Sequence, residues 1–321
     1  VTLHPIPERL EDWLALRRRH IGASEIASLF GVQPAFQPGV YALWMDRAGR
    51  VPLPPVENER VEWGLRLEDA IATGAAEREG WIVQPGAYAS HECGLGATLD
   101  RIIVEPTQAD AANGYAGPGA LELKNVDWLQ TRRGRAWEGE PPIHVLLQLQ
   151  AQLVATGYSW GAIAWLVGGN DLRVLRYHAR PAVQAEIVKR VTAFWQSIRE
   201  DRPPLPDGSD ATYAAIMATR EEPEDDEPAD LRGDNEAEVA AADYLRGAAM
   251  EKEGKALRDA AKNVLLAKCN GFRWAKCNGA TVSVAVMPEK PPRPPKPGEM
   301  IPGRAASVRL TVKPYEEVEA A

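Results

Sequence analysis

Cysteine is scarce in this chain. Cys93, Cys269 and Cys277 are an odd three with no C-x-x-C spacing, so neither a disulfide framework nor a zinc or iron-sulfur centre is expected. Long apolar runs are missing as well. No stretch approaches the roughly 18 apolar residues of a membrane span, and Val1-Thr2-Leu3-His4-Pro5 lacks the basic-then-apolar order of a secretory leader. A cytoplasmic protein without a membrane partner is therefore expected. Surplus positive charge is absent too, since the net charge is -8. Along the chain, however, residues 1–206 carry -3, residues 207–243 carry -11 and residues 244–321 carry +6. The acidity sits mainly in one short stretch, so a polyanionic partner is not excluded for the rest. Arg17, Arg18 and Arg19, and Arg132, Arg133 and Arg135, form local basic clusters.

What is present is a charged pair where a buried strand is expected. In Gly119-Ala120-Leu121-Glu122-Leu123-Lys124, side chains two apart share a strand face. Glu122 and Lys124 then point one way, while Leu121 and Leu123 anchor the other side in the core. Burying such a pair is costly without partners. Upstream, Ala97-Thr98-Leu99-Asp100 reads as a strand ending in an acid. An Asp, a Glu and a Lys converging on one sheet edge suit a hard divalent cation with a fixed positive charge beside it, the chemistry of metal-assisted phosphodiester hydrolysis. An isolated E-x-K is also compatible with a surface ion pair on an edge strand.

Further segments extend the pattern. Trp13-Leu14-Ala15-Leu16-Arg17 precedes Ile21-Gly22-Ala23-Ser24-Glu25, then come Glu62-Trp63-Gly64-Leu65-Arg66-Leu67-Glu68 and finally Leu147-Gln148-Leu149-Gln150. With Asp100 and Glu122-Leu123-Lys124 they resemble, in order, the segments of the PD-(D/E)XK nuclease superfamily and, within it, the phage lambda exonuclease and YqaJ-like viral recombinase family. The resemblance covers about the first 205 residues. It implies Asp100, Glu122 and the Leu123 backbone carbonyl as metal ligands, with Glu68 a third carboxylate reached directly or through water. Lys124 and Gln148 would position water or phosphate, and Arg17 and Ser24 would hold a 5'-phosphate. A bland alternative for Ser24 is a helix N-cap. One departure stands out: Asp100 lies between Leu99 and Arg101, where the family often has Pro and Gly. Some relatives also carry a four-cysteine cluster, which this chain lacks.

Periodicity and punctuation give the expected architecture. Residues 11–30 read as two helices around a turn that presents Ser24, and residues 57–79 as one helix with Leu65, Leu67 and Ile71 on its buried stripe. Strands follow from Trp81 towards Tyr88, over Ala97–Val104 and over Ala120–Val126. A helix then runs from Pro141-Pro142 to Val154, two strands flank Gly168-Gly169-Asn170-Asp171, and Pro181 opens a closing helix to about Glu200. This is an α/β (α+β), restriction-endonuclease-like order: a central mixed sheet flanked by helices over residues 1–205. An acidic, Pro-rich linker is expected over 206–235. A helical C-terminal region follows over 236–321, with Thr281–Val286 and Ala306–Val312 pairing as a small hairpin or the intervening segment acting as a flexible linker.

The function implied is a metal-dependent exonuclease acting 5' to 3' on linear double-stranded DNA, of the phage or prophage recombination type. Mg2+ suits oxygen ligands that retain waters, and Mn2+ would substitute. The resemblance also implies DNA ends as substrate, a single-strand annealing protein as partner and a ring-shaped homotrimer. The chemistry alone leaves two alternatives open: a restriction-type endonuclease, or a catalytically silent DNA- or partner-binding protein on a nuclease scaffold. His20, His91, His144 and His178 are scattered, and no catalytic part is assigned to them. Trp44, Trp128 and Trp137 fit core positions better than base stacking.

Overall fold

The chain divides into two compact units, Val1–Glu222 and Pro223–Ala321. The structure, a computed structural model, describes residues 2–4, 9–54, 58–132, 135–221, 229–277 and 280–284. In the first unit the elements run β1 (Thr2–His4), α1 (Leu10–Arg18), β2 (Ile21–Gly22), α2 (Ile26–Leu29), α3 (Val40–Arg47) and α4 (Glu59–Glu79). Four strands come next, β3 (Ile82–Pro85), β4 (Tyr88–His91), β5 (Leu95–Thr98) and β6 (Arg101–Glu105). The unit is completed by α5 (Gln108–Ala112), β7 (Gly119–Val126), α6 (Ile143–Thr156), β8 (Trp160–Val167), β9 (Asp171–His178), α7 (Pro181–Arg199) and α8 (Asp210–Thr219).

The central sheet is mixed and five-stranded, in the order β3-β6-β7-β8-β9, with β7 and β8 parallel and the other neighbours antiparallel. Parallel neighbours need a long crossover, which α6 supplies. β8 reads as an unbroken apolar run because it is buried on both faces. Leu121 and Leu123 pack with Ile71, Ala72 and Trp160, which fixes the α4 side of the sheet. By the two-residue period, Glu122 then faces α6. Asn58 starts α4 by accepting the Val61 N–H at 3.0 Å, and Gly80 ends it in the left-handed region at φ 71°.

A second, four-stranded sheet, in the order β1-β4-β5-β2, was not legible in the sequence. The runs towards Tyr88 and over Ala97–Val104, each expected as one strand, are both split between the two sheets. One crosses at Gly86-Ala87 and the other at Leu99-Asp100, and they cross together. The Leu99 N–H donates to the Ala87 carbonyl at 3.0 Å, and a Cβ on Gly86 would stand 1.6 Å from the Leu99 carbonyl oxygen. Only glycine permits that approach. Asp100 therefore occupies the break between two strands rather than the end of one.

Two other expectations are corrected. The first compact unit does not stop at 205, because α8 packs into it, with Thr212 and Ala215 buried and Asp207 accepting from Ser209 and Thr212. A proline run ended the apparent core in the sequence, yet the chain returns to pack one more turn-rich helix. In the second unit, residues 235–268 form a single helix, α9 (Asn235–Lys268), followed by β10 (Trp274–Cys277) and β11 (Ala280–Ser283). The strand that includes Thr281 pairs with β10, antiparallel. Ala306–Val312 and residues 222–228 of the expected linker lie outside the described residues.

Candidate active site

The site starts where the ladder between β6 and β7 ends. Arg101 pairs with Leu121, and beyond that point β6 has no residue to offer. Asp100 takes over: its Oδ2 accepts the Leu123 N–H at 2.7 Å. In a strand the N–H and C=O of one residue leave on the same side, so the Leu123 carbonyl is directed towards Asp100 as well. On the opposite strand face Glu122, 1% exposed, has its oxygens divided among three donors. Lys124 Nζ stands 2.5 Å from Oε1, Gln148 Nε2 donates to the same oxygen at 2.6 Å, and Gln152 Nε2 donates to Oε2 at 2.5 Å. Gln148 and Gln152 are one turn apart on α6 and therefore share a face.

Electrostatically the site holds more acid than it can match. Burial first, then repulsion from Glu122, holds the Asp100 carboxyl well above its ordinary range, against Lys124 and the Leu123 N–H. Glu68, on α4, is raised by burial and by Glu122, with Arg101 and Lys124 pulling the other way. Burial works against the Lys124 charge, yet Glu122, Asp100 and Glu68 keep its pKa above the usual value. Arg101 is anchored by Asp69 and by the Asp100 carbonyl, so the residue that departs from the family pattern sits as a cation beside Glu68.

These side chains open on one cavity of about 960 Å³, and Arg17, Ser24, Glu68, Asp100, Glu122, Leu123, Lys124 and Gln148 all line it. Every position singled out from the sequence is thus brought to a single space. The W-x-x-x-R spacing has a plain cause. Trp13 packs edge-on to Tyr88 at 5.3 Å, and four residues on, Arg17 lies over the Trp13 ring at 5.8 Å. Ser24 lies inside a single 3-10 turn, Ala23–Glu25, whose N-cap is Gly22, so it is not a cap. That turn is fixed by Glu25, which accepts the Gly22 N–H at 2.8 Å and pairs with Arg47 at 2.6 Å.

Some assignments shift. Leu65, expected on the buried stripe of α4, is 63% exposed and lines the cavity, since it sits three residues from Glu68 and shares that face rather than the one packed on the sheet. Trp44 and Trp137 are core residues, whereas Trp128 is 52% exposed beneath Arg132 at 4.0 Å. Gln152 was missed, although its spacing from Gln148 on an amphipathic helix was visible. Gln150 instead clamps structure, bonding the His178 carbonyl and the Arg180 N–H. His144 also lines the cavity, where burial and Lys124 lower its pKa.

The fold is mixed α/β with mixed sheets. Residues 12–159 match the YqaJ-like viral recombinase domain, and Arg17, Ser24, Glu68, Asp100, Glu122, Leu123, Lys124 and Gln148 all lie within the matched stretch. Over 236 residues the chain is 26% identical to the uncharacterized protein YqaJ of Bacillus subtilis (strain 168), covering 71% of this chain and 69% of that protein. Among solved structures it is similar to an alkaline exonuclease from Laribacter hongkongensis, with 19% identity, a TM-score of 0.46 and coverage of 60% of this chain and 94% of that one. A complex of the same exonuclease with dAMP gives 20% identity and a TM-score of 0.47 over the same shares. A phage-related exonuclease from Haemophilus somnus 129PT gives 11% identity and a TM-score of 0.42, covering 58% and 96%.

Proposed function

We propose that the first unit is a metal-dependent exonuclease that degrades one strand of linear duplex DNA from its 5' end, in the manner of phage recombination enzymes. The observation that carries this reading is the convergence of Glu68, Asp100, Glu122, Lys124 and Gln148 with Arg17 and Ser24 on one cavity. Nothing about folding calls for that many ionisable groups in one place. The donor set suits a hard cation: carboxylates and a strand-end carbonyl, with acid in excess of fixed positive charge. Among the described residues no three His, Cys, Asp or Glu side chains gather closely enough to clasp an ion. Asp100, Glu122 and the Leu123 carbonyl are assigned as ligands on the family resemblance, with Glu68 reached directly or through water. Magnesium fits, with manganese as substitute, and when bound it acidifies water and offsets phosphate charge.

The chain's own groups supply the rest. Lys124, fixed by Glu122, donates to the attacking water or to a phosphate oxygen, and Gln148 holds the same region by its amide. The Arg17 guanidinium and the Ser24 hydroxyl form a pocket for the terminal phosphate, since a planar fork and a hydroxyl match its oxygens. Linear and circular duplex DNA incubated with Mg2+ test the reading. Degradation of the linear form alone is expected. Cleavage of closed circles would make it an endonuclease, and inertness towards both would make it a binder. The annealing protein and the trimer belong to this proposal only as what the family resemblance implies.

A further inference from the structure

The second unit carries a surface that the cavity does not explain. Within Gly254–Val284 stand Lys255, Arg258, Lys262, Lys268, Arg273 and Lys276, against the single acid Asp259. A groove of about 410 Å³ lies between α9 and β11, with Leu265, Leu266 and Val282 among its lining. Val282 is paired with Ala275, so by the two-residue period these two point to the helix side of the hairpin, and Trp274 and Lys276 point to the other. That outer face is open. Trp274 is 60% exposed and Phe272, just before the strand, is 68% exposed. Lys276 Nζ lies over the Trp274 ring at 5.7 Å.

Single exposed aromatics are ordinary, but Phe272 and Trp274 stand together at one short hairpin among cations, and an apolar patch of that kind marks a contact surface. Interleaved with cations on a short hairpin, they match the needs of unpaired bases: a π-face for stacking and a positive field that follows phosphates. Duplex DNA would use the charges but not the rings, because its bases already stack on one another. An acidic peptide would use the charges but not the rings. We propose that Phe272, Arg273, Trp274 and Lys276 form a stacking platform for single-stranded DNA, a nucleic-acid site built from residues other than those of the cavity. The C-terminal part of α9 supports it, since Lys255, Arg258, Lys262 and Lys268 stand there against Asp259 alone.

The probe is a fluorescent oligothymidylate, titrated with the full chain in EDTA and followed by anisotropy at two salt concentrations. Trp274→Ala should weaken binding by about tenfold or more, and Trp274→Phe should keep it within about threefold, because a ring is retained. Arg273→Glu with Lys276→Glu should weaken binding and flatten its salt dependence, because fewer cations meet phosphate. Far-UV circular dichroism of each variant reports whether the fold survives. Unchanged affinity in folded Trp274→Ala overturns the platform, as does an equal loss in Trp274→Phe. Competition by a peptide of residues 221–234 as strong as that by excess oligonucleotide would assign the surface to an acidic segment instead.

Discussion

Two clusters of buried charge in the first unit use the same residue types to opposite ends. Around Asp110 two carboxylates share one guanidinium, and Asp110 is further met by neutral hydrogen-bond donors. Trp81 Nε1 donates to Oδ2 at 2.7 Å, the Thr107 hydroxyl donates at 2.8 Å, and Arg176 pairs with Asp110 at 2.5 Å and with Glu79 at 2.7 Å. Burial alone would raise the Asp110 carboxyl, but these donors outweigh it and hold the pKa below the ordinary value. Around Glu122 the acids outnumber the cations, and Asp100 and Glu68 are held above the ordinary value. A finished cluster fastens α4, α5 and β9. An unfinished one, facing a cavity, is the arrangement that the proposed function assigns to a cation and substrate.

The sharpest way to break this comparison is to neutralise one acid in each cluster. Glu122→Gln should lower cleavage of linear DNA by about 10³-fold or more, since it removes several kcal/mol of metal-borne stabilisation at constant volume. Asp110→Asn should leave turnover near wild type in the folded fraction. Steady-state cleavage rates in Mg2+ decide it, and wild-type turnover by Glu122→Gln would remove the metal assignment.

Stability should respond in the reverse order. Asp110→Ala leaves Arg176 short of a partner in a buried network and is expected to cost about 3–5 kcal/mol, read by urea unfolding. The pH dependence follows from the depressed pKa. Asp110 contributes its full stabilisation above its ordinary value of 3.8, and loses it as pH falls through the lower folded value. Acid unfolding of Asp110→Asn should therefore be flatter in that window. An identical acid limb in wild type and variant would show that the cluster is not set by this carboxylate.

The cations repeat the contrast at smaller scale. Arg176 is held between two carboxylates, whereas Arg17 has no acid partner among the described residues and opens on the cavity. Arg17→Ala should leave stability within about 0.5 kcal/mol. It should, however, erase most of a preference for 5'-phosphorylated over 5'-hydroxyl duplex ends. Equal rates on both kinds of end in the wild type would make Arg17 and Ser24 structural.

Much of the site was legible because its signals are local. The two-residue period placed Glu122 and Lys124 on one face, four-residue spacing joined Trp13 to Arg17, and Gln148 stood on a recognisable helix. The same logic read Leu65 wrongly, since hydrophobicity says that a face is covered but not by what. It gave no warning that Gln152 would share the burden of Glu122, because a glutamine on a buried helix face is equally at home bonding backbone, as Gln150 does. The extent of the unit was also hidden: Pro203 and Pro204 end one packing run without preventing α8 from beginning another.

By itself, then, the sequence pointed to the residues that line the cavity, the mixed sheet they stand on and the helices that flank it, since periodicity, caps and turns act within a few residues. Tertiary structure alone decided where two strands break. The close passage of Gly86 past Leu99 splits both runs between sheets, and Asp100 falls in the gap with the Leu123 N–H to hold. That placement depends on two backbone segments meeting across the intervening β4–β5 hairpin. No pattern within either segment records the contact, because each half keeps its own strand-like alternation on both sides of the crossing.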